Sequence, residues 1–314
     1  MTPLRVGTRG SALALAQARH VAGLLGGEEA GVEIVPIATS GDQGRLLGDK
    51  SRWVKELEAA LLAGEIDVAV HSAKDLPAEL PDRLELAAVP AREDARDALC
   101  GAPSLDALPP GAVVGTSSLR RAAELRALRP DLDVVSLRGN VDTRLRKLAD
   151  GRAAAIVLAV AGLRRLDRGD AIDAVLDQLV PAPGQGALAL ETRAGDGAAR
   201  DAAIAIGDRD AAACLAAERA LVRKLGATCN TPLGAHAVRT DDGGLRLRAF
   251  AGLPDGSEWL RDELTVAAGI DAETFGAAMG ARLAAAGATD LLAAAEAAAE
   301  GSPPPASTPE GVRI

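Results

Sequence analysis

Along the first 90 residues, short apolar runs of strand character alternate with longer helix-like stretches. LRVGT precedes SALALAQARHVAGLL, VEIVPIA precedes a polar loop and SRWVKELEAALLAG, and IDVAVHS and LELAAVP follow. Parallel neighbours in a sheet need a crossover connection, usually a helix, so this order commits the chain to an α/β fold with a mostly parallel sheet. The pattern then restarts. AVVGTS leads into SLRRAAELRAL, DVVSLRG into NVDTRLRKLADG, and AAAIVLAV into AGLRRL, a second α/β lobe of similar build. In LVPAPGQGALALE the Pro and Gly residues mark a crossing between units, and helical DAAACLAAERALVRKLG runs into a loop. Strands with tight turns come next, in AHAVR, DDGG, LRLRAFAG, LPDG and WLRDELTVA, then an alanine-rich helical end, a small α+β unit. The expected divisions are residues 1–90 plus about 187–204 for lobe 1, 91–186 for lobe 2, 208–300 for the third unit, and a disordered tail over 301–314.

Two or three domains are the normal yield of 314 residues. A net charge of −9 argues against a general nucleic-acid binder, which needs a basic face. The charge is uneven, however. Thr116 to Arg168 holds twelve Lys and Arg against six Asp and Glu, a local +6 that leaves −15 on the remainder. Three cysteines, Cys100, Cys214 and Cys229, are odd in number and widely spaced, so neither a disulfide framework nor a zinc cluster is suggested. The N-terminal MTPLRVGTRGS has no signal-peptide pattern, and no stretch of about 18 uninterrupted apolar residues occurs, so the cytoplasm is the expected compartment and no membrane partner is expected.

VGTRGS at Val6 to Ser11 and VGTSSLRR at Val114 to Arg121 both put small hydroxyl residues between a strand and a helix. Such a junction exposes backbone N–H groups that suit a carboxylate or phosphate. Ordinary N-capping by Ser11 and by Ser117 or Ser118 explains the same residues. In IDVAVHSAKDLP an apolar strand ends in His71, Ser72, Lys74 and Asp75, at the strand end where open α/β sheets place ligands. No GxSxG elbow accompanies them, which discounts a hydrolase triad; a solvated turn is the plain alternative for Asp75. Arg9, Arg120, Arg121, Arg138, Arg144, Arg164 and Arg165 all lie at or near strand-to-helix junctions. Guanidinium forks converging there suit a polycarboxylate, whereas Arg126, Arg129, Arg146 and Arg152 read as solvated helix faces. TSGDQGRLLGDKSR, Thr39 to Arg52, carries no nucleotide-binding motif; a lid and a plain surface loop explain it equally. Cys214 sits in an apolar run, but Cys229 in GATCNTPLGAHA is surrounded by turn formers.

Taken together, GTRGSALALAQA, WVKELEAALL, DVAVHSAKDLP, REDARDAL, VGTSSLRRAAEL, LRGNVDTRL, IVLAVAGLRRL, PGQGALALE, AAERA and CNTPLGA resemble the porphobilinogen deaminase (hydroxymethylbilane synthase) family, in family order from Leu4 to Leu292. The resemblance implies a cytoplasmic, monomeric transferase of tetrapyrrole synthesis. It implies two periplasmic-binding-protein-like (type II) lobes around a cleft, plus a small C-terminal α+β domain. Four porphobilinogen molecules would be joined with loss of ammonia, primed on a dipyrromethane cofactor held by a thioether to Cys229. Asp75 would be catalytic. Lys74, Ser118, Arg120, Arg121, Arg138 and Arg144 would bind the cofactor, and Arg9, Ser11, Arg165 and Gln185 the substrate, with Gln185 and the strand after it at the lobe hinge. Neither metal nor nucleic acid is implied. Asp42 would begin the family's flexible loop. Two departures stand out: GDKSRW replaces a GGKGLF-like segment around Lys50 and Trp53, and TSGD replaces TRGD, removing a basic residue at Ser40. A non-catalytic two-lobed carboxylate-binding protein is the competing reading.

Overall fold

A computed structural model describes residues 3–38, 52–195, 197–228 and 231–301. Asp42, Lys50, Cys229, the side chain of Trp53 and the tail beyond Gly301 lie outside the described residues.

The chain begins with β1 (Leu4–Arg9), α1 (Ala12–Leu24), β2 (Val32–Ile37), α2 (Arg52–Leu62), β3 (Val68–Ser72) and β4 (Leu84–Ala88). It continues with β5 (Asp97–Cys100), β6 (Val113–Gly115), α3 (Leu119–Leu128), β7 (Asp133–Val135), α4 (Val141–Ala149), β8 (Ala155–Ala159), α5 (Val160–Arg165) and β9 (Ala174–Leu176). Last come β10 (Leu188–Arg193), α6 (Gly197–Ala205), α7 (Arg209–Leu225), β11 (Leu233–Arg239), β12 (Leu245–Gly252), β13 (Trp259–Val266), α8 (Ala272–Ala285) and α9 (Ala288–Gly301).

Two five-stranded sheets share one plan. The first runs β2-β1-β3-β10-β4 and the second β7-β6-β8-β5-β9. In each, three parallel strands are followed by an antiparallel one supplied by a crossing segment: β10 lies antiparallel to β3 and β4, and β5 antiparallel to β8 and β9. The chain therefore leaves the first lobe through residues 89–96 and returns through 177–187, so two strands of backbone join the lobes. β11, β12 and β13 form a separate antiparallel meander against α7 and α8. This is the two-lobed α/β architecture with a small α+β unit expected from the sequence.

Aromatic residues are only 1% of the chain, so the cores rest on small and aliphatic side chains and on close approach of backbones. The crossing of α7 and α8 shows this. A Cβ at Gly276 would collide with the backbone of Ala217, and one at Gly280 would meet the Lys224 side chain at 2.7 Å.

The helix starts follow local chemistry. Ser11 caps α1 by accepting from Ala14 N, and Ser118 caps α3 by accepting from Arg121 N, so of the two serines in GTSSLRR it is the second that caps. Asn140 caps α4 through Thr143 N, and Asp208 caps α7 through Asp210 N and Ala211 N. Gly226 ends α7 in the left-handed region at φ 64°, where glycine is favoured.

Candidate active site

Four strand-to-helix junctions open onto one cleft of about 1630 Å³. The first lobe contributes Arg9 from the end of β1, the α1 cap Ser11, and Lys74 and Asp75 from the single 3-10 turn that follows β3. The second lobe contributes the α3 cap Ser118, then Arg120, Arg121, Arg138 and Arg144. Gln185 enters from the returning segment, and Leu215, Arg219, Thr228 and Thr231 from the third domain. Arg165 faces a side chamber of about 80 Å³ that it shares with Arg9, Ser11, Lys74 and Asp75. Typical sites for one small molecule enclose roughly 300–1,000 Å³, so a cleft of this size suits a chain of linked units. Every described residue singled out from the sequence as a site residue thus reaches the cleft or its chamber.

The arginines fall into two sets, and here the structure differs from a row of open forks. Arg120 Nη1 donates to Asp97 Oδ2 at 2.8 Å, Glu124 Oε2 at 2.9 Å and the Val180 carbonyl at 2.7 Å. Arg121 donates to Asp97 Oδ1, the Val157 carbonyl and Gln185 Oε1. Both are buried, because α3 presents this face to the segments that join the lobes. Burial opposes ionisation of Asp97, but the charges of Arg120 and Arg121 hold its carboxyl well below the usual range. Glu124 behaves oppositely: burial outweighs its Arg120 partner and pushes it up to about 7. The Nε of Arg120 remains buried without a hydrogen-bond partner, so a donor is left over even in this paired residue.

Arg144 and Arg138 form the second set. Neither has a carboxylate within ion-pair distance among the described residues. The Nε of Arg144 is buried without a partner, and burial, then the Arg121 charge, pull its guanidinium down to about 10. Arg138 is exposed at the cleft, just before the α4 cap Asn140. Arg165 spends Nη2 on the Gly186 carbonyl at 2.8 Å, and burial lowers its pKa. Arg164, by contrast, points outward and pairs with Glu93 at 2.7 Å.

The turn bearing Lys74 and Asp75 is fixed from behind. Ala73 N donates to the Ala187 carbonyl, and Gly184, at φ 73°, packs so closely that a Cβ there would lie 2.8 Å from the Ala73 carbonyl carbon and from Lys74 N. His71 is committed to Glu191, its Nε2 lying 2.9 Å from Glu191 Oε2 in a buried contact. The discounted triad is accordingly not assembled. Ser11 and Ser118 accept capping bonds through Oγ, which leaves each hydroxyl proton available to a ligand oxygen.

The donor set fits a dipyrromethane with carboxylate arms: the guanidiniums of Arg138 and Arg144, two capping hydroxyls, and a wall reaching Thr228 and Thr231 on either side of Cys229 and Asn230. Thr231 Oγ1 in turn donates to Glu296 Oε1 at 2.6 Å, tying that loop to α9.

Sequence reasoning passed over Asp97, Glu124, Arg92, Glu218 and Arg219. Glu218 is wholly buried; it pairs with Arg92 at 2.7 Å and accepts from Gly184 N and Ala237 N. The signal was present in REDARDALC, where Asp97 begins an unbroken apolar strand, and in AAERALV, where apolar residues surround the helix and leave no wet face for its charges.

The family described as "Porphobilinogen deaminase, dipyromethane cofactor binding domain" matches residues 4–201, and "Porphobilinogen deaminase, C-terminal domain" matches residues 212–285. A porphobilinogen deaminase of Thermus thermophilus is 52% identical over 82% of this chain and 88% of its own length. One of Deinococcus radiodurans is 50% identical over 83% and 89%, and one of Thiobacillus denitrificans 47% identical over 93% and 98%. The chain belongs to the porphobilinogen deaminase family.

Proposed function

We propose that this chain is a transferase that condenses four porphobilinogen molecules head to tail, releasing ammonia at each step, with water then cleaving the chain from its primer and supplying the hydroxyl of the linear tetrapyrrole hydroxymethylbilane. One observation carries the reading. The Asp75 turn of the first lobe, the unpaired guanidiniums of the second and residues flanking Cys229 in the third domain line a single cleft long enough for linked pyrroles.

When bound through Cys229, the dipyrromethane supplies the primer with a free pyrrole α-carbon. The protein does the rest electrostatically. Loss of ammonia from the aminomethyl group of porphobilinogen leaves positive charge spread toward the pyrrole nitrogen. A fixed carboxylate at Asp75 stabilises that charge and holds the N–H proton in place. The close packing of Gly184 behind the turn keeps Asp75 from retreating as charge develops. Each pyrrole unit brings two carboxylates. Lys74, Ser118, Arg138 and Arg144 take those of the primer, with Arg9, Ser11 and Arg165 taking those of the incoming unit. Arg120 and Arg121 act chiefly by holding Asp97 and Gln185 between the lobes.

No helix among the described residues is long and apolar enough to cross a membrane. A cytoplasmic, monomeric enzyme remains part of the proposal. Burial raises the thiols of Cys100 and Cys214 to about 12 and about 11, which leaves both unreactive and Cys229 as the thiol for covalent work. The test is turnover of porphobilinogen with ammonia and tetrapyrrole both quantified. Four ammonia per product supports the reading; reversible binding without ammonia release supports the non-catalytic alternative.

A further inference from the structure

The cleft holds a further guanidinium without a carboxylate partner among the described residues that the preceding assignments do not use. Arg219 lies on α7 with Leu215 four residues before it and Val222 three after, a spacing that puts all three on one helix face, and all three line the cleft. Arg219 is only 9% exposed. Its one described hydrogen bond runs from Nη2 to the Ala78 carbonyl at 2.9 Å, and among the described residues no carboxylate lies within ion-pair distance.

Such a state is costly. A guanidinium shielded from most of its water calls for a counter-charge or a full set of acceptors, and this one has a single neutral carbonyl, with its other N–H groups open to the cleft. Burial, then the charge of Arg223, pull its pKa down to about 10. Comparison with its equals is instructive. Arg120 and Arg121 are also buried, and each has a carboxylate, in both cases Asp97 at 2.8 Å. Arg219 is the one buried arginine without a carboxylate among the described residues, and it faces the cleft, as do half-buried Arg144 and, in the side chamber, half-buried Arg165. Ala78 also lies three residues past Asp75, so the bond to its carbonyl sets Arg219 beside the turn where charge develops.

We propose that Arg219 is a carboxylate-binding residue that the third domain adds to the cleft, taking an acetate or propionate arm of the growing pyrrole chain. The inference rests on the function proposed above, which supplies a ligand with such arms. It makes the third domain a participant in holding the chain as well as its covalent anchor.

The experiment compares full-length holoenzyme with R219M, R219Q and R219K. It reads kcat and KM for porphobilinogen together with the intact masses of enzyme-bound intermediates at limiting substrate. R219M and R219Q are expected to raise KM about ten-fold or more, or to accumulate one stalled intermediate, the scale of losing a charge-assisted hydrogen bond. R219K is expected to recover most of the loss, since the charge is kept. R219Q retains a donor for the Ala78 carbonyl, so it separates a strap from a ligand site, and it is read alone if R219M does not fold. Wild-type KM and intermediate masses in R219Q overturn the inference, as does a lowered melting temperature as the only change. Absence of turnover in the wild-type holoenzyme instead overturns the reading on which the inference rests.

Discussion

The two lobes are built on the same strand order and carry opposite charge. Residues 1–90 hold nine Lys and Arg against thirteen Asp and Glu, whereas Thr116 to Arg168 is at +6. One sheet plan with two charge patterns separates tasks: the acidic lobe presents a single carboxylate, Asp75, on a fixed turn, and the basic lobe presents handles for anions. Identical topology does not give identical arginines, either. Those on the first turn of α3 turn inward to the lobe junction, while Arg138 and Arg144 beside α4 keep their charge for the cleft. The helix that meets both crossing segments has carboxylates to pair with, and the one that does not is left with unpaired cations.

If the division of tasks is right, the largest single effect belongs to the first lobe. Asp75→Asn keeps the fold and still binds porphobilinogen but is expected to lose turnover by roughly 10²–10³-fold or more, as when one preorganised charge-stabilising group is removed. Steady-state kinetics on the purified variant check it, and normal turnover would break the comparison at its centre.

Next comes the junction. Asp97→Ala strands Arg121 in a buried site and leaves Arg120 with Glu124 alone, and breaking such a pair from one side costs about 3–5 kcal/mol. Chemical denaturation should show this loss of stability; a cost below about 1 kcal/mol, the range of an exposed pair, would mean that the network is wet and the two arginine sets are alike.

Arg138→Leu sharpens the comparison from the other side. It is expected to leave stability within about 0.5 kcal/mol, as for a surface substitution. It should nonetheless slow elongation roughly ten-fold, leaving partially extended enzyme visible by mass. An unchanged rate would make Arg138 a surface residue.

A pH-dependent effect lies in the third domain. Burial lowers His236 to about 4 despite the nearby Glu218 charge. Since its unfolded value is near 6.5, the unfolded chain binds the extra proton first as pH falls. Stability is therefore whole above about 6.5 and declines between about 6.5 and 4 by up to about 1.4 kcal/mol per pH unit. His236→Gln should flatten that part of the stability profile, and an identical slope in the variant would assign the acid sensitivity elsewhere.

Much of this was legible in the sequence. The alternation of strand and helix named two α/β lobes, and HSAKD, GTSSLRR and LRGNVDTRL located the residues that meet in the cleft. What stayed hidden was which charges face each other. The sequence shows Arg120 and Arg144 as junction arginines; Glu124 lies one turn after Arg120 on the same helix, but only the fold brings Asp97 to Arg120 and no described carboxylate to Arg144. Ser11 and Ser118 posed a choice between cap and ligand that the structure resolves in favour of the cap for Oγ as an acceptor, with the proton still to give. Arg219 was missed because a lone arginine on a helix resembles a solvated one until its helix is seen to pack on three sides.

The most direct test of a covalently primed cleft is the intact mass of the purified protein under denaturing conditions, beside Cys229→Ala. The expected result is an increment of two linked porphobilinogen-derived units on the wild type and none on the variant. A wild-type protein at bare polypeptide mass that gains no adduct on incubation with porphobilinogen would contradict it.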